Sequence, residues 1–317
     1  GLSLIEAAAV FWIAMLVGAK SLDLLCHERL TGRPFDWDMV LVLALVNVIF
    51  YHTAVFLLPN PLISQALDAW SGAVGRLPTL VAVEGPAAVV LSYVLVDFAF
   101  YWAHRLAHGR TPLWRLGHVN HHRVTGLNEW TAPSDPPTLL LDAAGGRGLS
   151  LLIVPVLAQV FGCRLGSAAP TLALMVVVDA LLAPSHSVAL YRLEMRVPAL
   201  RFARRVLVTP AVHYTHHSSE PRHDLADGCN FGARLAIWDR LFGTYAEPPL
   251  ELPRTGLRDP GADTCRNPMR YAFLPLVEEI RRLGSAITSR ATAPVLSRIR
   301  APETDDADPA RCRIDVE

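Results

Sequence analysis

The chain has 317 residues, 29 basic and 29 acidic side chains, and a hydrophobic content of 52% against 18% charged. Zero net charge argues against a nucleic-acid partner, and so apolar a composition argues against an ordinary soluble domain. An integral membrane protein is the reading that remains.

Three apolar runs come first: Leu2–Leu25, Met39–Leu58 and Thr79–Ala103. Each is long enough to cross about 30 Å of hydrocarbon as a helix rising about 1.5 Å per residue. The first has no basic stretch before it and carries Glu6, so it reads as a retained anchor, not a signal peptide. A fourth region, Leu149–Ala183, is interrupted by Gly162-Cys163-Arg164-Leu165-Gly166, a tight turn between two helices. It reads as a hairpin whose short first arm leaves crossing and re-entry both open; either brings the chain back to the side it left.

Basic residues give the orientation. Lys20, Arg29 and Arg33 flank the first connection and Arg105, Arg110, Arg115 and Arg123 follow the third run, whereas Arg76 and Arg164 stand alone on the other two connections. By the positive-inside rule the segment after Ala103 and everything after Ser185 are cytoplasmic, and the N-terminus faces the opposite side. The five cysteines form no C-x-x-C pair and read as reduced and incidental.

Nine of the twelve histidines fall into a pattern: "HRLAH" (His104, His108), "HVNHH" (His118, His121, His122), the isolated His186, and "HYTHH" (His213, His216, His217). Positions i, i+3 and i+4 share one face of a helix, so each H-x-x-H-H is expected to turn three imidazoles to one point. Convergent neutral imidazoles hold transition metals. The predicted topology brings all nine to the cytoplasmic face, because the intervening hairpin crosses twice or not at all. His27, His52 and His223 belong to no box and are read as ordinary side chains.

Two acids lie inside apolar runs, Asp97 seven residues before His104 and Asp179 seven before His186. A carboxyl in hydrocarbon turns inward toward a partner; here the expected partner is a ring N–H of a histidine on a neighbouring helix. Zinc hydrolysis fits less well, since H-E-x-x-H is absent and nine histidines exceed one such site. Two histidine-rich metals are the natural partition.

The stretches "VDFAFYWAHRLAH…LWRLGHVNHH" (96–122) and "VTPAVHYTHH…NFGARLAIWDRLFGTY" (208–245) resemble the fatty acid hydroxylase and sterol desaturase superfamily of membrane di-iron enzymes. The resemblance implies an all-α membrane protein of about four transmembrane helices, the last pair a hairpin, capped by a cytosolic histidine-rich domain. It implies two iron ions held by His104, His108, His118, His121, His122, His186, His213, His216 and His217. Dioxygen and two electrons would then hydroxylate or desaturate an unactivated C–H bond of a lipid. Asn230, Trp238 and Asp239 also match, and are expected to pack and orient the last box. After the second box the chain departs from the family: Arg123 stands where a serine is common, and Ser134-Asp135-Pro136-Pro137 replaces a basic segment.

With no dinucleotide fingerprint, haem signature or iron–sulfur cysteine set, the electrons are expected from an external b-type cytochrome or ferredoxin-like carrier. Arg192, Arg196, Arg201, Arg204 and Arg205 form the expected docking face, or meet anionic headgroups. The expected organisation is an anchor (1–95), a catalytic region (96–245) with the hairpin at 149–185, and a cytosolic tail (246–317) with an amphipathic helix at 271–290. A zinc-dependent membrane hydrolase and a non-catalytic lipid-binding relative are the rival readings.

Overall fold

The computed structural model describes residues 3–57, 61–108, 114–131, 146–164, 169–223, 228–257, 267, 270, 271, 273 and 277–285. Two compact units divide the chain, Gly1–Leu276 and Val277–Glu317.

In the first unit α1 (Leu4–Thr31) starts where Ser3 and Glu6 form a capping box and stops at Gly32, in the left-handed region at φ 69°, which donates to the Glu28 carbonyl. The helix outlasts the predicted run by six residues. Leu25, Ile13 and Val17 project from it more than half exposed, giving it an apolar outer surface. Next come α2 (Trp37–Leu57) and α3 (Pro61–Val74). The sequence reading did not anticipate α3, which is too short and too polar on one side to register as a span.

The third apolar run was expected to be helical from Thr79. It is extended instead until β1 (Val83–Glu84), and α4 (Gly85–Ala107) begins only at Gly85, φ 62°, with Pro86 in its first turn. The extended strip is tied down: Leu80 N–H donates to the Val160 carbonyl, and β1 pairs in parallel with β2 (Cys163–Arg164), Val83 opposite Cys163. Between the hairpin helices α6 (Gly146–Val160) and α7 (Ala169–Leu182), Gly162 at φ 52° has no room for a side chain; a Cβ there would lie 2.5 Å from the Val81 carbonyl oxygen. The predicted turn therefore doubles as a clasp on the start of α4.

Among the described residues, α1 and α4 are long and apolar enough to cross a membrane. α1 packs on α7 and on α8 (Val188–Arg196), and α4 packs on α6 and α7. The rest is short: a wide turn at Trp114–His118 running into α5 (Val119–His122), then α9 (Pro198–Ala203), α10 (Pro210–His216), a turn at Pro221–His223 and α11 (Ile237–Leu241). Val124, Leu127, Val188, Tyr191, Ala211 and Tyr214 form the apolar core that locks the segment after α5 to α8 and α10. In the second unit residues 277–285 are helical, with Arg282 paired to Glu279 one turn earlier.

Candidate metal centre

α4 delivers His104 and His108 from its last turn. The second box is carried by the turn and α5, and Asn120 anchors it: its Nδ2 donates to the Tyr271 carbonyl (3.1 Å) while Tyr271 Oη donates to the Asn120 carbonyl (2.6 Å). Tyr271 in turn packs on Val42, Leu43 and Val46 of α2. α10 is held at its start by Glu194 of α8, whose Oε2 accepts from Ala211 N–H (3.0 Å) and whose Oε1 accepts from Thr209 Oγ1 and Arg204 Nε. A carboxylate at a helix N-terminus is favourable on dipole grounds as well as by its hydrogen bonds.

All nine box histidines come together, in two groups. His104, His108, His118, His122 and His216 form the first; His121, His186, His213 and His217 form the second; within each group the candidate ligand atoms lie within 4.8 Å of one another. The expectation that each H-x-x-H-H aims at one point is corrected. Positions i and i+4 of both boxes go to one group and i+3 to the other: His118 and His122 against His121, and His213 and His217 against His216. The reason is angular, since i and i+4 differ by about 40° around the helix while i+3 lies about 100° from i+4. A helix end set between two points serves both.

The nitrogens are spaced as ligands of one ion would be. In the first group His118 Nε2 lies 3.1 Å from His104 Nε2 and 2.8 Å from His108 Nε2. In the second, the Nε2 atoms of His186, His213 and His217 form a triangle with sides of 3.0, 3.2 and 3.3 Å. Imidazole nitrogens about 2.1 Å from a shared ion stand roughly 3.0–3.4 Å apart in octahedral or tetrahedral arrangements. Nε2 of His122 and of His216 are buried with no hydrogen-bond partner among the described residues. The donor set fits a pair of borderline transition ions such as iron or zinc.

Burial holds the rings neutral, as ligation requires. His108, His118, His122, His213, His216 and His217 are pushed well below the ordinary imidazole range, by desolvation first and by one another second. His186 is lowered to about 3 by burial, with Lys20 adding to it.

Two tautomers are set by one loop. His104 Nδ1 lies 2.8 Å from the Phe231 carbonyl oxygen and His216 Nδ1 2.7 Å from that of Cys229. A carbonyl only accepts, so Nδ1 carries the hydrogen in both and the Nε2 lone pair is free for a metal. The residue between, Asn230, is the one described non-glycine at positive φ (55°), and that twist turns both flanking carbonyls to the histidines. Asn230 fastens the loop: Nδ2 donates to the Val212 and Ala246 carbonyls and Oδ1 accepts from Ala246 N–H. Asp239 completes it by accepting from the N–H groups of Phe231 (2.7 Å) and Gly232 (2.9 Å) and from Thr244 Oγ1. Gly232 is enclosed, with space for a Cβ only 2.7 Å from the Leu235 carbonyl oxygen.

The two acids inside apolar runs do something else than expected. Asp97 accepts from the backbone N–H of Arg234 (2.8 Å) and Leu235 (3.0 Å) and from Trp238 Nε1 (3.0 Å). Asp179 accepts from Trp12 Nε1 (3.0 Å) and from the Arg234 guanidinium. No histidine donates to either among the described residues; both acids hold the segment that follows Phe231. Their helices point them at the loop because it crosses α4 and α7 two turns from the histidines.

Four contributors were not singled out from sequence. Glu129 accepts His186 N–H at 2.7 Å and stands 4.0 Å from its Nδ1; burial pushes its carboxyl up to about 7. Asp23, fully buried in α1, accepts from Glu129 N–H, Ser187 Oγ and Ala189 N–H, joining the first helix to both sides of His186. It was findable by the same argument applied to Asp97: an acid inside an apolar run. Trp114 faces the His108 and His122 rings at 5.1 and 5.3 Å, and Phe231 faces His108 at 5.0 Å, forming an aromatic wall. Of the five arginines expected on one docking face, Arg204 is buried, bound to Glu194 and Glu247.

A family model described as fatty acid hydroxylase matches residues 89–244. That stretch belongs to the fatty acid hydroxylase superfamily. It holds all nine histidines and the loop that orients two of them. The ornithine lipid hydroxylase of Rhizobium tropici is 32% identical over 163 residues, covering 51% of this chain and 42% of that protein. Alkylglycerol monooxygenases of Xenopus tropicalis and Danio rerio are 26% identical over 180 residues and 29% over 160, covering 56% and 49% of this chain and 34% and 30% of theirs. The chain thus matches less than half the length of each. No solved structure gives a significant match.

Proposed function

We propose that this chain is a membrane lipid oxygenase in which the first histidine group holds one iron and the second holds another. The observation that carries the reading is the division of nine imidazoles, six buried and three half-buried, into two candidate ligand sets on a fatty acid hydroxylase domain. With dioxygen and two electrons from an external b-type cytochrome or ferredoxin-like carrier, a bound di-iron pair supplies the oxidation of an unactivated C–H bond. The relatives carry the names of lipid hydroxylases and monooxygenases, which favours hydroxylation over desaturation.

The protein's own contribution is positional. The carbonyls of Cys229 and Phe231 fix two tautomers, Glu129 holds the backbone of His186, and the Trp114–Phe231 wall keeps water from the five-histidine group. In the proposed topology α1, α2, α4 and the α6–α7 hairpin lie in the bilayer. Residues 1–95 anchor, 96–245 carry the chemistry and 246–317 form a cytosolic tail, with the histidines at the cytoplasmic face.

Lipid extracts of cells with and without the gene test the reading. A lipid one oxygen heavier only in the expressing cells, lost in His121→Ala, is the expected result. Loss of two hydrogens instead would move the assignment to desaturation. Tightly held zinc with ester or amide cleavage and no coupled oxygen uptake would replace it with a hydrolase.

A further inference from the structure

A cavity of about 570 Å³, lined in part by Tyr214 and by none of the nine box histidines, lies where α1 ends and the loops after α5 and α10 meet residues 252–257. Arg33, Arg192 and Arg254 line it, and no carboxylate does among the described residues. None of the three guanidiniums has an ion pair among the described residues; Arg192 donates to the Leu30 carbonyl at 3.3 Å and keeps its other N–H groups. His27, only 6% exposed, lines the same space, and its buried Nδ1 has no hydrogen-bond partner among the described residues. Leu252 and Tyr214 give the cavity an apolar side.

Three guanidiniums lining one concave space, with the nearby carboxylate of Glu220 paired to Arg222 and to the Arg254 backbone N–H, raise the local potential for anions, and their fork geometry suits planar or tetrahedral oxyanions. The lone imidazole nitrogen adds a neutral donor or acceptor at the buried end. We propose that this cavity is a binding site for a phosphate or carboxylate group, separate from the metal centre. Two sources share that chemistry, a lipid headgroup reaching in beside the end of α1 and a soluble anion. The proposal does not depend on the oxygenase reading, and its test involves no turnover.

The full chain in detergent micelles is titrated by calorimetry with three probes: inorganic phosphate, dihexanoyl phosphatidic acid, and the neutral dihexanoyl glycerol. The wild type is compared with Arg192→Gln/Arg254→Gln, and with Arg196→Gln as a control outside the cavity. Saturable binding of an anionic probe is expected. It should weaken about tenfold or more in the double variant, the loss of one to two charge-assisted hydrogen bonds, and stay unchanged in the control. Whichever anionic probe binds more tightly identifies the source. Melting temperature and metal content of the double variant should match the wild type, separating a lost site from a lost fold; Arg33→Gln provides a second, exposed position at which binding should weaken. Absence of anion binding, equal affinity in wild type and double variant, or neutral probe binding as tight as the anionic one would each overturn the proposal.

Discussion

His122 and His217 lie nearly parallel, 4.3 Å between ring centroids and 23° between planes, yet they belong to different histidine groups. One ring from α5 and one from the end of α10 thus form the partition between the two sites. The sites share a wall, and a change on either side of it is felt by both.

His121→Ala and His216→Ala each remove one member of a different group. Turnover should fall below detection in both while the chain still inserts. The second group would keep three histidines after His121→Ala and the first four after His216→Ala, so metal analysis should show the greater loss in the former. Equal metal content in the two variants, or retained product formation in either, would contradict the assignment.

Asn230 and Asp239 act on the loop, not on substrate. Asn230→Ala deletes three hydrogen bonds and leaves alanine at φ 55°, a combination worth about 2–4 kcal/mol. Asn230→Gly should recover about 1 kcal/mol of that by relieving the backbone alone. Thermal melting of the three proteins, with metal retention measured in parallel, orders them wild type, glycine, alanine.

Glu129 gives the metal-depleted chain a pH dependence. Its carboxyl sits near 7 in the folded chain against 4.5 in the unfolded one, so the folded state holds a proton that the unfolded state releases. That contribution to stability is present in full below about pH 4.5 and is lost as pH rises to about 7, on the order of 3 kcal/mol in total. In Glu129→Gln this contribution should be absent, leaving the opposing rise in stability with pH that the depressed histidines give both proteins. A melting profile with the same slope as wild type would assign it to other groups.

The Arg234–Asp179 pair links the oriented loop to α7. Arg234→Met leaves Asp179 uncompensated beside apolar helices and should lower stability by about 3 kcal/mol or more, whereas Arg234→Met with Asp179→Leu should restore most of it. Asp97 is bound to backbone N–H groups and Trp238, so the double variant keeps that attachment. Failure of the second substitution to rescue the first would show that Arg234 serves something other than Asp179.

Much of the site was legible because its spacing is local. Four residues along a helix place two imidazoles together whatever the rest of the fold does, and an H-x-x-H-H run can be read without knowing its surroundings. The division of each run between two groups was not legible, because it depends on where the helix end sits relative to two points in space. Glu129 carries no sequence signal at all: it is one acid in a loop, and its contact with His186 spans 57 positions. The start of α4 was readable from Gly85-Pro86, but the apolar run ahead of it hid that signal. Extended residues 80–84 are as hydrophobic as a helix and differ only in having the hairpin turn as a partner. For Asp97 and Asp179 the sequence showed that each needed a partner, and only the fold could show that the partner was the loop carrying Arg234.

Under the proposed two-ion reading, the crossed allocation of the second and third boxes bears on how the ions would enter. Because α5 and α10 each contribute to both ligand sets, whichever ion arrives first orders rings that the other will use, and its neighbour then binds at a smaller entropic cost. Uptake should be cooperative, visible as a steep titration in which half-filled molecules are scarce.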